Sequence, residues 1–144
     1  MNTNSTLGIT GLHHVSLRVP DLEKSLAFYR DVLGFTVRTA FTLDGQRFVM
    51  LEIANRNYLE LVEVKRAVQP GGEAEVIWHL ALRTDSLEKS LEPARKAGCE
   101  ILVPIRPLDL VNDVNGKPFP VRVAFFRGPD GEIVELLEDR SGQT

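Results

Sequence analysis

The sequence predicts an α+β fold of two tandem modules, each running β-α-β-β-β. One observation behind this prediction is the pentapeptide LEKSL, which occurs at Leu22–Leu26 and again, unchanged, at Leu87–Leu91. In the same register, 65 residues apart, HVSLRVPDLEKSLAFYR aligns with HLALRTDSLEKSLEPAR. Near the end of each half, ELVE also matches ELLE at an offset of 75 residues. Self-similarity of this kind is typical of a duplicated supersecondary unit.

The first module begins with a predicted strand over residues 12–19, where side chains of opposite character alternate. A helix follows, because Asp21 is a suitable N-cap and leucines then recur at helical spacing until Gly34 ends it. Asp44-Gly45 predicts a hairpin turn between the next two strands. The remaining strands of the module are predicted at 35–43, 46–53 and 58–64.

The second module repeats this order. A strand at 76–83 precedes a helix at 86–97, in which Pro93 is expected to kink or split the helix at a cost of roughly 3 kcal/mol. The extra residues of this module form a predicted loop, RPLDLVNDVNGKPFP (106–120). The other strands are predicted at 100–105, 121–127 and 132–138, with a turn at 128–131.

The length of 144 residues predicts a single domain, because each half alone would be marginal in size. A Pro-Gly-Gly sequence marks the linker between the halves. The expected segments are a disordered N-terminal arm at 1–8, one domain at 9–139 (module one 9–65, linker 66–75, module two 76–139) and a tail at 140–144.

Composition excludes several classes of partner. The hydrophobic fraction of 43% and the charged fraction of 26% are typical of a globular protein. A net charge of −3 without clustered Lys or Arg argues against nucleic-acid binding, and no apolar run is long enough for a membrane span. One cysteine, Cys99, excludes an internal disulfide, and no secretory signal is visible. These features predict a cytoplasmic protein.

Strand alternation places one histidine and one glutamate of each module on the face away from the helix. In module one they are His14 and Glu60, and in module two they are His79 and Glu135. A glutamate among apolar neighbours on an inner face is costly when ionised and unpaired. One such residue alone is more often structural, but four at equivalent positions predict a shared divalent metal ion.

Other polar residues on these strands are interpreted as structural. His13 points to the opposite face from the preceding set and aligns with Trp78 rather than with a histidine. Glu63 and Glu138 match across the repeat, but each has the opposite pleat from the glutamate chosen above. They are predicted to be strand-end charges, and the charged residues of LEKSL are predicted to face water.

Two further groups are candidates for substrate contact. Arg18 shares the face of His14 and lies four residues along the strand, roughly 13 Å away. We expect Arg18 either to bind an anionic part of a substrate or to form a surface ion pair. The second alternative is favoured by Arg83, which occupies the equivalent place in the other module. Apolar walls of a substrate site are predicted from four residues, with core packing as the alternative for about half of them. They are Phe48, Met50, Phe125 and Phe126.

From Ile9 to Asp139 the chain resembles the vicinal oxygen chelate superfamily, the glyoxalase, bleomycin resistance protein and dioxygenase fold. The resemblance is carried by GLHHVSLRVPDLEKSLAFYRDVLGF, by FFRGPDGEIVELLE and by the repeat itself. It implies that the two modules form a cupped mixed sheet around one metal ion. The implied ligands are His14, Glu60, His79 and Glu135.

A complete His-Glu-His-Glu set is similar to glyoxalase I, the lactoylglutathione lyase group. This implies a lyase or isomerase that chelates a substrate with adjacent oxygens and moves a proton through an enediolate, with Glu135 or Glu60 carrying the proton. The metal would be Ni, Co, Zn, Mn or Fe, and glutathione would be a candidate cosubstrate. Arg18 stands where that group has an arginine for a glutathione carboxylate, whereas Val64 stands in place of its asparagine.

Two other functions and one assembly are also considered. An Fe(II) ring-cleaving dioxygenase would use three protein ligands, and a metal-free binding or resistance protein would have lost them. A homodimer is expected, because each module leaves a sheet face and an edge uncovered and two-fold pairing is the commonest closure.

Overall fold

The computed structural model describes residues 7–65, 76–128 and 133–144. The predicted arm at 1–8, the linker at 66–75 and the turn at 128–131 lie wholly or mostly outside these ranges. The described chain divides into two compact units. The first unit contains His14–Trp78 together with Val111–Lys117, and the second contains the described remainder. Within the described ranges, no helix combines the length and the apolar character that crossing a membrane requires.

The first unit contains a four-stranded sheet in the order β2-β3-β4-β1. Strand β1 is parallel to β4, and the other neighbours are antiparallel. Asp44 and Gly45 both have positive φ, which is the turn predicted between β2 and β3. The elements are β1 (Ile9–Val19), α1 (Leu22–Leu26), a π-helical continuation (Ala27–Val32), β2 (Thr36–Leu43), β3 (Gln46–Ala54) and β4 (Asn57–Glu63).

The helix of the first unit begins and ends near the predicted residues. The Asp21 side chain accepts a hydrogen bond from the backbone N–H of Lys24 at 3.0 Å, as an N-cap should. After Leu26 the helix widens, and the N–H of Leu33 reaches the carbonyl of Phe28 at 3.0 Å. One face of the sheet packs on this helix. Its buried core is Val19, Leu22, Leu26, Val49, Leu51, Leu59 and Leu61.

The second unit contains a sheet in the order β5-β8-β7-β6, with β5 parallel to β8. Ser86 caps its helix by accepting from the N–H of Lys89 at 3.4 Å, and the helix continues through Pro93 without a break. Leu87 and Leu91 lie on the buried face of this helix. The elements are β5 (Ile77–Thr84), α2 (Leu87–Lys96), β6 (Ile101–Val111), β7 (Pro118–Arg127) and β8 (Ile133–Asp139).

The segment predicted as a loop at 106–120 is mostly strand. Strand β6 continues to Val111 and β7 starts at Pro118, which leaves a short turn between them. Asn112 organises this turn, because its buried side chain accepts from the N–H of Val114 at 2.9 Å and donates to the carbonyl of Arg38 at 3.2 Å. The N–H of Asp113 also donates to the carbonyl of Ala40 at 2.7 Å. The turn therefore covers the outer edge of β2 within the first unit.

The glutamates interpreted as strand-end charges have a specific structural task. Glu63 accepts from the N–H of Leu22 at 3.4 Å, and Glu138 accepts from the N–H of Leu87 at 3.2 Å. Each therefore satisfies an amide in the first turn of the helix that LEKSL begins. The favourable position of a carboxylate at a helix N-terminus also explains why both halves keep it.

Ion pairs complete this arrangement in the same way in each unit. Arg47 lies 3.2 Å from Glu23 and 3.8 Å from Glu63. The equivalent residues of the second unit are Arg122, Glu88 and Glu138. Glu23 and Glu88 of LEKSL therefore pair with arginines of the adjacent strand, where the sequence predicted charges facing only water.

Candidate metal and substrate site

The first unit holds a buried histidine and glutamate on neighbouring strands. His14 on β1 and Glu60 on β4 lie on the face away from the helix, and His14 Nε2 is 3.6 Å from Glu60 Oε1. The parallel register sets Ser16 opposite Glu60. Ser16 Oγ donates a hydrogen bond of 2.9 Å to the same Oε1 atom. All three side chains are buried, so the carboxylate is held by groups shielded from water.

The second unit holds the repeat-equivalent pair. His79 on β5 and Glu135 on β8 are both buried, and His79 Nε2 is 2.8 Å from Glu135 Oε2. Here the register sets Ala81 opposite the glutamate. Phe125 on β7 lies on the other side of Glu135 and meets the His79 ring edge-on, with ring centres 5.3 Å apart. Each unit thus brings its predicted histidine and glutamate together.

The donor atoms of both pairs fit a divalent metal. Imidazole nitrogen and carboxylate oxygen are the ligands that zinc and the neighbouring transition metals accept. The nitrogen-to-oxygen distances of 2.8 and 3.6 Å lie on either side of the ~3 Å expected for two ligands at right angles with bonds of about 2.1 Å. The glutamates of both units are only 5% exposed, and ionising a carboxylate at such a depth is costly unless it is paired.

The predicted apolar walls divide between the two faces of the sheets. Phe48 and Met50 pair with Val62 and Glu60 across β3 and β4, so they lie on the same face as the glutamate. Phe125 lies on the corresponding face of the second unit, as its contact with the histidine shows. Phe126 has the opposite pleat and packs on the helix-side core of that unit. Phe126 is therefore a core residue, the alternative that the sequence left open.

Arg18 lies beside a cavity of about 430 Å³ within the first unit. Its guanidinium carbon is 5.6 Å from the centre of the Trp78 ring, a cation–π contact that holds the side chain in place. Its Nε atom is buried and has no hydrogen-bond partner in the described ranges. The cavity is lined by Arg18, Gln46, Val62, Val64, Lys65 and Trp78. The cations Arg18 and Lys65 and the amide of Gln46, next to the Trp78 ring, make this cavity suited to binding an anion.

Sequence reasoning missed Ser16, Gln46 and Lys65. Ser16 lies on the ligand face by simple alternation, so a comparison of the halves at this position could have found it. Gln46 and Lys65 carry no such signal, because they meet Arg18 only through the pairing of strands. His13, interpreted as structural, is buried in the second unit and its Nε2 lies 2.7 Å from the Thr144 hydroxyl.

The fold and the candidate residues together point to a class of protein. Residues 11–136 match the Glyoxalase/Bleomycin resistance protein/Dioxygenase superfamily, and the chain belongs to that superfamily. The predicted resemblance is therefore confirmed, and so is the α+β fold class.

Three similar proteins illustrate the range of the superfamily. The uncharacterized protein YwkD of Bacillus subtilis is 32% identical, over 90% of this chain and 98% of its own length. A lactoylglutathione lyase of Haemophilus influenzae is 24% identical, over 89% of this chain and 92% of its own. The crystal structure of methylmalonyl-CoA epimerase from Mycobacterium tuberculosis superposes with a TM-score of 0.71 at 23% identity, covering 96% of this chain and 92% of that one.

Proposed function

We propose that this protein is a metal-dependent lyase or isomerase of the glyoxalase type. One observation carries the proposal: a buried histidine–glutamate pair recurs on corresponding strands of both units. Membership of the superfamily and the similarity to a lactoylglutathione lyase support it. The reaction class is transfer of a proton between neighbouring carbons of a substrate that carries adjacent oxygens.

His14, Glu60, His79 and Glu135 would bind one divalent metal together. Two imidazoles and two carboxylates suit Ni, Co, Zn, Mn or Fe(II). Such a metal supplies Lewis acidity toward substrate oxygens when it is bound. Four protein ligands also distinguish the proposed site from that of an Fe(II) ring-cleaving dioxygenase, which uses two histidines and one carboxylate.

The chain itself would supply the proton carrier and the shape of the site. Glu135 takes a proton from one substrate carbon and returns it to the neighbouring carbon, as a general base and then a general acid. The apolar side chains of Phe48, Met50 and Phe125 exclude water from this face of their own units. Exclusion of water protects the carbanionic charge from protonation by solvent.

Arg18 would bind an anionic end of the substrate. Its contact with Trp78 fixes the guanidinium, and its buried Nε atom is available for an acceptor. Lys65 adds a second cation and Gln46 an amide on the same cavity wall. Val64 lines this cavity where glyoxalase I has an asparagine, so the glutathione end of a substrate would lose one amide contact here. Glutathione is therefore tested as one cosubstrate among others.

The decisive assay measures metal and turnover on the same preparation. Purified protein is analysed for bound metal, and then reconstituted separately with Ni²⁺, Co²⁺ and Zn²⁺. Each form is given methylglyoxal with glutathione, with another thiol or alone, and thioester or hydroxyacid product is measured. We expect turnover in at least one form, and loss of more than about a hundredfold in Glu135→Gln, since a general base contributes about 10²–10⁴-fold.

Other outcomes would replace the proposal with a different function. Protein that takes up none of these metals would be a metal-free binding protein. Consumption of oxygen with a catechol by the Fe²⁺ form would indicate a ring-cleaving dioxygenase. Proton exchange at methylmalonyl-CoA without any turnover of methylglyoxal adducts would indicate an epimerase instead of a lyase.

We also propose that the protein is a homodimer. Exposed apolar side chains occur in the described part of the chain, among them Ile77 and Val32 at 62% and 70% exposure. Pairing of two copies is the usual way in which such surface is covered. Sedimentation equilibrium at micromolar concentration should give twice the mass of the 16.1 kDa chain, and a monomer alone would contradict the prediction.

A further inference from the structure

We propose that Ser16 is a positioning residue that fixes the carboxylate of Glu60. The inference rests on the proposed metal centre and goes beyond it, because Ser16 is neither a metal ligand nor a predicted substrate contact. It follows from one hydrogen bond and from its replacement in the other half of the chain.

The hydrogen bond acts on a defined oxygen. Ser16 Oγ donates to Glu60 Oε1 at 2.9 Å, and this is also the oxygen that lies 3.6 Å from His14 Nε2. Ser16 is fully buried, so bulk water does not compete for its hydroxyl. Strand pairing fixes the arrangement, because Ser16 and Glu60 are register partners in the parallel pair of β1 and β4.

Ser16 is the adjacent strand residue equipped for this task. Glu60 has two register partners, Ser16 on one side and Met50 on the other. A thioether has no hydrogen to donate, whereas a hydroxyl does. The row across the first sheet therefore places one donor beside the carboxylate.

The second unit has the same row without the hydroxyl. Glu135 lies between Ala81 and Phe125, and neither side chain has a polar atom. His79 Nε2 lies 2.8 Å from Glu135 Oε2. Ser16 and Ala81 are the aligned residues of the repeat, so the hydroxyl beside the glutamate is present in the first row and absent from the second.

The hydrogen bond sets what Glu60 can do. Hydrogen bonds from outside the ligand set orient ligating carboxylates, and such partners affect metal affinity strongly. Glu60 must break its bond to Ser16 before it can turn, so it remains a fixed ligand. Ala81 offers no such bond at the equivalent place in the second unit.

Cobalt(II) provides a test that does not depend on the substrate. The apoprotein, Ser16→Ala and Ser16→Thr are titrated with Co²⁺ against a competing chelator, and the visible absorption of each complex is recorded. We expect Ser16→Ala to weaken Co²⁺ binding about tenfold or more and to change the spectrum. Ser16→Thr keeps the hydroxyl and should restore both. If Ser16→Ala does not fold, Ser16→Cys takes its place in the test, because cysteine has a similar volume and is only a weak donor. Ser16→Cys should then show the weaker Co²⁺ binding and the changed spectrum.

Two matched variants separate positioning from general damage. Ser90→Ala removes another buried hydroxyl, which bonds the carbonyl of Leu7 at 2.6 Å, and it should leave Co²⁺ binding and the spectrum unchanged. Ala81→Ser places a hydroxyl opposite Glu135. Because the added hydroxyl is a donor beside the second carboxylate, as Ser16 is beside the first, Co²⁺ affinity should not fall.

The outcomes distinguish this inference from the proposed function. If the unaltered protein binds no Co²⁺, the metal centre and the role of Ser16 are both overturned. If it binds Co²⁺ and Ser16→Ala has the same Kd and spectrum, the role of Ser16 alone is overturned. A loss of Co²⁺ affinity in Ser90→Ala equal to that in Ser16→Ala would also overturn it, because the effect would then be one of stability.

Discussion

Replacing Glu138 with alanine should destabilise the protein more than the same change at the repeat-equivalent Glu63. Glu138 accepts from the N–H of Leu87 at 3.2 Å and lies 3.3 Å from Arg122 and 2.9 Å from Arg140. Its side chain is only 12% exposed and that of Arg122 is 18% exposed. A hydrogen bond to a charged group contributes about 1.5–3 kcal/mol, and removing Glu138 takes this acceptor from the N–H of Leu87 and leaves the largely buried Arg122 with its exposed partner Glu88. We expect a loss of about 3 kcal/mol in the free energy of unfolding.

The matched change at Glu63 should be much milder. Its bond to the N–H of Leu22 is longer, at 3.4 Å, and its distance to Arg47 is 3.8 Å. The Glu63 side chain is 34% exposed and that of Arg47 is 51% exposed, so water screens their ion pair. Water also solvates Arg47 when Glu63 is removed. We expect a loss of about 0.5–1 kcal/mol for Glu63→Ala.

Urea unfolding, followed by circular dichroism and extrapolated linearly to water, measures both values. The glutamine variants serve as controls, because they keep a neutral acceptor for the helix amide and remove only the ion pairs. Glu138→Gln should therefore lie between the unaltered protein and Glu138→Ala. An equal or larger loss in Glu63→Ala than in Glu138→Ala would refute the reasoning from burial and distance.

Three further predictions concern the site and the acid stability of the fold. His79→Ala should lose most of the bound metal, whereas His13→Ala should retain it, and elemental analysis of both distinguishes a ligand from its structural neighbour. Arg18→Ala should raise KM for an anionic substrate without changing metal content, whereas Arg83→Ala should leave KM unchanged. Burial alone would raise the pKa of the Asp139 carboxyl, but hydrogen bonds from Ser141 and Thr144 outweigh it and hold the pKa below its ordinary value. The stability that Asp139 confers is therefore complete above that ordinary pKa and is lost as the pH falls through the lowered value, so Asp139→Asn should flatten acid unfolding curves in that range.

Much of the fold was predictable because the repeat provides two different sequences for the same β-α-β-β-β module, which can be compared position by position. Asp21 and Ser86 both cap helices, and the first residues of those helices, Leu22 and Leu87, are both buried, as the doubled LEKSL predicts. The segment 106–120 was predicted less well, because it has no counterpart in the first module. Its extra residues were predicted to form a loop, whereas β6 and β7 are neighbours in the sheet and extend into this segment from both sides.

The candidate site shows the same division between local and long-range information. His14 and Glu60 could be assigned to one face by alternation, and so could their repeat equivalents. The partners of Glu138 could not be assigned, since its contact with Leu87 depends on how a strand end meets a helix start 51 residues earlier. The cavity beside Arg18 could likewise not be predicted from the sequence, because Gln46 and Lys65 come together only when the strands pair.

The turn held by Asn112 has a consequence for the order in which the chain can fold. Its amide bonds the carbonyl of Arg38, a contact that spans 74 residues of sequence. As the chain leaves a ribosome, the edge of β2 emerges long before the segment that covers it. The nascent first half therefore presents an open strand edge, a known template for pairing between chains, until Asn112 has been synthesised. Synthesis that stalls between these two points would leave this edge exposed, and the aggregation of a truncated first half would follow from one missing turn.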